Sequence, residues 1–309
     1  MPPLASIDIG SNTIRLLIGR IEGNKIIRHK CEMAITRLAA GINSTCLLNI
    51  ENMGKSVSVL KEFARLISEY KVTRIKAVGT SALREARNSG EFIKRVLSET
   101  GIKIDVISGQ EEAGLTAKGV LFDAPKAALS FIIDIGGGSA EWVLCKNSSP
   151  VEMGTVPAGV VKLFEKHIKS DPPSKDEIIS LKKEMDIVLG KLRAKAGHLI
   201  KANTVFIGTA GTITTIAAID LGLEKYSHEK IHMHKMPLQK LHDISEMLVR
   251  MPLLERKQIK GLEPERADLI IPGILFTIKI MEIFDFENML VSDNGLLEGV
   301  LIRLSANGL

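Results

Sequence analysis

The chain has 309 residues, 45% of them apolar and 25% charged, which is the balance of a globular protein long enough for two domains with separate cores. A net charge of +5 and a pI near 9.0 favour anionic partners, while an aromatic content of 4% excludes a base-stacking platform for DNA or RNA. Cys31, Cys46 and Cys145 are odd in number and form no C-x-x-C pair, which excludes a disulfide framework or a structural zinc and points to free thiols in a reducing cytoplasm.

The first elements are three strands, Leu4–Ile9, Ile14–Arg20 and Lys25–Arg28, with Gly23-Asn24 as a hairpin tip. So short a lead from Met1 leaves no room for a signal peptide. Met53, Val57, Leu60, Ala64 and Ile67 recur at steps of four and three and predict a helix. Arg74–Gly79 is the next strand, followed by a helix near Gly90–Thr100, a strand at Lys103–Ile107 and a helix opening near Gln110.

Asp123-Ala124-Pro125-Lys126 reads as a linker, because Pro ends the preceding helix. It divides the chain into a first domain, 1–124, and a second, 125–309. Beyond it the order starts again, with strands at Leu129–Ile135, Ala140–Lys146 and Val151–Val156 and a helix through Lys162–His167. Ser174 and Glu177 form a capping box for a helix carrying Ile178, Leu181, Met185, Val188 and Leu192. Thr204–Ile207 is a further strand, and Met289–Val291 the last. Leu269–Phe284 is apolar but interrupted by Pro272, Gly273 and Lys279, so a core helix is expected there and not a membrane span. The final helix, about 295–306, is expected in the second domain or packed back on the first.

Asp-Ile-Gly occurs twice, as Asp8-Ile9-Gly10-Ser11-Asn12 and as Asp134-Ile135-Gly136-Gly137-Gly138-Ser139. Each copy lies between two apolar runs, so each predicts a strand, a tight turn and a second strand with a carboxylate at the turn. Gly lets backbone N–H groups converge on an anion, and the Asp suits a divalent cation that balances it. Either copy alone is an ordinary turn. The matched pair suggests two half-sites around one phosphorylated ligand, with Ser11, Asn12 and Gly136–Ser139 as phosphate-binding groups.

Glu141 lies two residues beyond Ser139, which places both on one side of the strand; a solvated strand residue is an equal reading. Glu111 and Glu112 stand at a helix start, where acidic residues complement the helix dipole without any further role. Ser81 and Arg84 follow the strand ending at Gly79, and Gly208-Thr209-Ala210-Gly211-Thr212 is another strand-to-helix loop suited to an anion through Gly208, Gly211 and Thr212. That loop lacks the Gly-Lys-Ser/Thr ending of a P-loop, and no complete G-x-G-x-x-G follows a strand. His228, His232 and His234 cluster without metal-binding helical spacing and read as a polar surface loop.

Together these stretches resemble the exopolyphosphatase / guanosine pentaphosphate phosphohydrolase (Ppx/GppA phosphatase) family. The resemblance rests on Ile7–Leu16, Ala77–Asn88, Val106–Leu115, Ile133–Glu141, Ile207–Thr215 and Glu265–Gly273, in order along the chain. It implies an α/β fold of two ribonuclease-H-like domains, as in actin, sugar kinases and acetate kinase, with mixed sheets flanked by helices and an interdomain cleft. It implies hydrolysis of a terminal phosphoanhydride of polyphosphate or guanosine pentaphosphate, with Glu112 and Glu141 as catalytic carboxylates. Asp8, Asp134 and Glu141 would meet Mg²⁺ (or Mn²⁺), and Ser11, Asn12, Ser81, Arg84 and Gly136–Ser139 the phosphate.

Three features depart from the family pattern. The chain ends at Leu309 without the long C-terminal helical region of some members, and Leu296-Leu297-Glu298-Gly299 replaces a Leu-Arg-Glu-Gly pattern. Trp142 stands where a smaller aliphatic residue is usual. A noncatalytic sensor of guanosine tetraphosphate or polyphosphate, and a kinase of the same superfamily, are the alternative functions. No membrane or nucleic-acid partner is expected, and a homodimer is the expected assembly.

Overall fold

The computed structural model describes residues 2–306. They form two compact units: residues 2–123 together with 294–306, and Ala124–Asp293. The last helix thus belongs to the first unit, and the second unit is shorter than the 125–309 read from the linker.

In the first unit, strands β1 (Leu4–Ile9), β2 (Thr13–Glu22) and β3 (Lys25–Ile35) form an antiparallel meander. A single turn, α1 (Ile42–Thr45), precedes the long helix α2 (Ile50–Glu69), whose N-cap Asn49 accepts from the N–H groups of Glu51 and Asn52. Strand β4 (Arg74–Gly79), the short helix α3 (Ser81–Glu85), helix α4 (Ser89–Thr100), strand β5 (Ile104–Val106) and helix α5 (Gly109–Val120) follow. The sheet order is β3-β2-β1-β4-β5, with β4 and β5 parallel to β1.

The second unit repeats this plan. Strands β6 (Leu129–Ile135), β7 (Ala140–Lys146) and β8 (Ser149–Val156) form the meander. Helix α6 (Val160–His167), helix α7 (Lys175–Ala196), strand β9 (Val205–Thr209) and helix α8 (Gly211–Asp220) come next. After the single turn α9 (His228–Ile231) come strand β10 (His234–Pro237), helix α10 (Leu238–Arg250), the single turn α11 (Leu253–Arg256), helix α12 (Ile270–Ile283) and strand β11 (Asn288–Val291). The order β10-β11-β9-β6-β7-β8 is the first sheet's order with one antiparallel edge strand added. Both are the mixed sheets of a ribonuclease-H-like fold. Helix α13 (Leu296–Ala306) closes the chain.

Side-chain alternation sets what each sheet face buries. Ala5, Ile7 and Ile9 pack with Leu60 and Phe63 of α2 and Phe92 and Val96 of α4. On the opposite face Leu4 and Leu17 meet Leu297 and Leu301 of α13, and Val78 meets Leu115 of α5 and Val300 of α13. With helices on both faces, β1 is buried throughout, as central strands of such sheets are. Asp8 shares the parity of Leu4 and so lies on the α5 and α13 face.

In the second unit Phe131, Ile133 and Ile135 alternate into one core with α7, α8 and α12. Phe131 stacks at 5.9 Å on Phe206 and packs at 6.3 Å against Trp142, so Trp142 is a core residue. Asp134 alternates to the other face.

The capping box of Ser174 and Glu177 is formed, and Leu269–Phe284 is largely the buried helix α12. No helix among the described residues is long and apolar enough to cross a membrane. The histidine segment is more ordered than a surface loop: His234 opens β10, where its Nε2 meets Asp220 at 2.8 Å, and His228 Nδ1 lies 2.7 Å from Asp293.

Candidate active site

Both Asp-Ile-Gly turns close in the same way. The N–H of Gly10 donates to the carbonyl of Thr13, and the N–H of Gly136 to that of Ser139, each at 3.0 Å. The turn carbonyls are taken up by the segment after the third strand. Asn12 O accepts from the N–H groups of Thr36 and Arg37, each at 3.0 Å, and Gly136 O and Gly137 O accept from Val160 and Val161 at 3.0 and 2.9 Å. The latter bonds satisfy the first amides of α6, which would otherwise be orphans of a helix start. Gly159 permits this approach, since a Cβ there would overlap the Gly137 backbone.

In the first unit Asp8 and Arg15 are register partners on β1 and β2. Arg15 donates to Asp8 Oδ2 from Nε at 3.1 Å and Nη2 at 2.6 Å. Asp8, expected as a metal ligand, is therefore held as half of an ion pair. Ser11 and Asn12 are buried in the turn, and Asn12 Oδ1 is buried with no hydrogen-bond partner. A buried amide oxygen without a partner is uncommon and suits a site completed by a ligand or water.

Helix α5 carries Glu112 in its first turn, with Ser108 capping the helix by accepting from Glu111 N–H at 3.1 Å. Glu112 is 7% exposed. Its Oε2 accepts from Arg84 Nη1 at 2.6 Å, while the same nitrogen donates to Ile107 O at 3.0 Å. Arg84 thus bridges α3, the end of β5 and α5. A dipole residue at a helix start is ordinarily solvated; Glu112 is buried and clamped, whereas its neighbour Glu111 is exposed and pairs with Arg303. Ser81 Oγ donates to Glu85 within α3 at 2.8 Å.

In the second unit Asp134 and Glu141 are register partners on β6 and β7, 7% and 2% exposed. Ser139 Oγ donates to Glu141 Oε1 at 2.8 Å, so the turn hydroxyl and Glu141 do lie on one side, as the alternation predicts. Thr209, at the end of β9, is the register partner of Asp134 on the other flank.

The loop from Gly208 to Thr212 opens α8 through Ala210, whose φ of 78° and ψ of 169° belong to a region normally reserved for glycine. Such strain costs about 1–3 kcal/mol and gathers at ligand clamps. The Arg266 guanidinium lies against Gly211, close enough that a Cβ there would overlap it, and is tied to Glu263. Arg266 was not singled out from the sequence; its only signal was membership in the Glu265–Gly273 stretch. Thr212 packs its methyl against Gly273.

Among the described residues no group of three or more His, Cys, Asp or Glu could hold a metal ion alone. Mg²⁺ is typically held by one or two carboxylates plus substrate phosphates, and Asp134 with Glu141 fits that donor set.

The Ppx/GppA phosphatase family model matches residues 18–307. The chain is 32% identical over 308 residues to the bifunctional 3-dehydroquinate synthase/phosphatase of Fusobacterium nucleatum, covering 97% of this chain and 46% of that protein. It therefore spans about half the length of that relative. It is 28% identical over 318 residues to exopolyphosphatase 2 of Mycobacterium tuberculosis, covering 98% of each. The solved structure of the Aquifex aeolicus PPX-GPPA enzyme superposes with a TM-score of 0.82 at 34% identity, over 97% of this chain and 99% of that one. The chain belongs to the Ppx/GppA phosphatase family.

Proposed function

We propose that the protein is a phosphoanhydride hydrolase that releases terminal orthophosphate from inorganic polyphosphate, guanosine pentaphosphate or both. The observation that carries this reading is the buried carboxylate pair Asp134–Glu141 beside a glycine turn built to accept an anion. Two neighbouring carboxylates are a donor set for a divalent cation that also meets a phosphate.

Each residue group then has a task. The amides of the Gly10–Asn12 turn in the first unit and of the Gly136–Ser139 turn in the second bind phosphate oxygens. Glu112, oriented by Arg84, takes a proton from the attacking water onto its carboxylate. Mg²⁺ or Mn²⁺, when bound by Asp134 and Glu141, supplies the charge balance that phosphoryl transfer needs. Asp8 is of the right type as well, with Arg15 holding its Oδ2. The name of the Mycobacterium relative supports polyphosphate as substrate, and that of a Vibrio cholerae relative 29% identical over 310 residues, guanosine-5'-triphosphate,3'-diphosphate pyrophosphatase, supports the guanosine nucleotide.

The test is a phosphate-release panel with polyphosphates of defined length, guanosine pentaphosphate and ATP, under Mg²⁺, Mn²⁺ and chelator. Release from polyphosphate or the pentaphosphate, dependent on the metal, is the expected result. Tight calorimetric binding with no turnover under either metal would make the protein a sensor instead.

A further inference from the structure

Helices α5 and α13 run antiparallel and touch at successive turns. Arg303 Nη1 pairs with Glu111 Oε1 at 2.6 Å. One turn on, a Cβ at Gly299 would overlap the Leu115 carbonyl, and one turn further a Cβ at Gly119 would overlap the Gly295 carbonyl. The two backbones are therefore in direct contact, at a separation that only glycine at both places allows.

The far end of the pair is tied as well. Asn294 Nδ2 donates to Asp123 Oδ1 at 2.9 Å, and these are the residues at which the chain leaves and re-enters the first unit. Arg28 reaches Asn294 Oδ1 and, at 3.5 Å, Glu298 Oε1, while Glu298 Oε2 caps α13 through Gly295 N–H at 2.9 Å. Leu297, in place of the family's arginine, packs with Leu4, Leu17 and Leu301 beneath the sheet. The α5 and α13 pair is thus one body, with both chain crossings at one end and Glu112 roughly 16 Å away at the other.

We propose that α13 is the positioning element for Glu112, acting through the glycine contacts Gly299–Leu115 and Gly119–Gly295. This rests on the reading of Glu112 as the proton acceptor. A methyl at Gly299 must part the helices by about 1 Å or more. Displacements of that size at a catalytic group cost on the order of 100-fold in rate. Substrate binding by the turns is untouched, because neither helix carries them.

The test is steady-state phosphate release from polyphosphate by the full chain with Mg²⁺. Gly299→Ala, confirmed folded by circular dichroism, is expected to lose about 10- to 100-fold in kcat with KM within about twofold. Gly114→Ala adds the same methyl to α5 where nothing lies within 4 Å, and keeps the wild-type kcat. If Gly299→Ala does not fold, Arg303→Gln takes its place, with a severalfold loss of kcat restored by Arg303→Lys. A folded Gly299→Ala or Arg303→Gln protein with wild-type kcat, or one impaired through KM alone, overturns the proposal. Glu112→Gln is measured alongside. If it is inactive while Gly299→Ala is unimpaired, the positioning role alone fails; if it turns over at the wild-type rate, the reading of Glu112 fails and the positioning role with it.

Discussion

Asp134 and Glu141 face each other across β6 and β7 as buried register partners, whereas at the matching place in the first unit Asp8 faces Arg15. The repeated fold thus holds an ion pair in one copy and a carboxylate pair in the other. The first is an ion pair, and the second is two carboxylates in register, the donor set proposed for the divalent ion.

From this follows a thermal-shift prediction. Wild-type protein in chelator gains melting temperature when Mg²⁺ is added, by about 2.7 kcal/mol of stability at 100 times the dissociation constant. Glu141→Gln keeps an acceptor for Ser139 and removes one metal-binding charge, so it should gain little from Mg²⁺. Equal Mg²⁺ responses in the two proteins would place the ion elsewhere.

The Asp8–Arg15 pair gives the opposite result. Arg15→Met strands a buried carboxylate, and urea denaturation should register a loss of about 2 kcal/mol or more. A loss below about 0.5 kcal/mol would mean that Asp8 does not depend on Arg15.

Glu177 sets an acid limb. Its carboxylate accepts from Ser170 Oγ and from the N–H groups of Ser174, Lys169 and Ser170, which pull its pKa down to about 2. A depressed folded value stabilises the protein above the unfolded value, near 4.3, and that contribution disappears as pH falls towards 2. Glu177→Gln should therefore lose stability at pH 7 and show a shallower fall between pH 5 and 2. Parallel curves for the two proteins would contradict this.

The thiols divide by burial. Desolvation pushes the Cys145 thiol up to about 12, while Cys31 and Cys46 are exposed. A thiol reagent at pH 8 should label two cysteines in the native protein and the third only on unfolding. Rapid native labelling at Cys145 would show that its strand opens readily.

How far the sequence carried is visible in single elements. Strands β1 and β6 begin and end where their apolar runs do, because buried central strands admit few polar residues. Strand β3 runs on to Ile35, seven residues past the expected end at Arg28, because an edge strand with an exposed face carries polar residues that mask the pattern. Helix α3, five residues long, has no period to read, and β10 hides its strand behind histidines. At the site, alternation places Ser139 beside Glu141, but the longer-range pairings have no local signal. Arg84 and Glu112 are brought together by a crossover through β5, and Arg266 reaches Gly211 only through the packing around α8. Such pairings belong to topology, which no local spacing records.

The central claim is that Glu112 turns phosphate binding into hydrolysis, and kcat for phosphate release by Glu112→Gln against wild type measures it most directly. The account predicts a loss of about 10²–10⁴-fold in a protein that still folds and still binds polyphosphate. A Glu112→Gln protein that releases phosphate at the wild-type rate would contradict it.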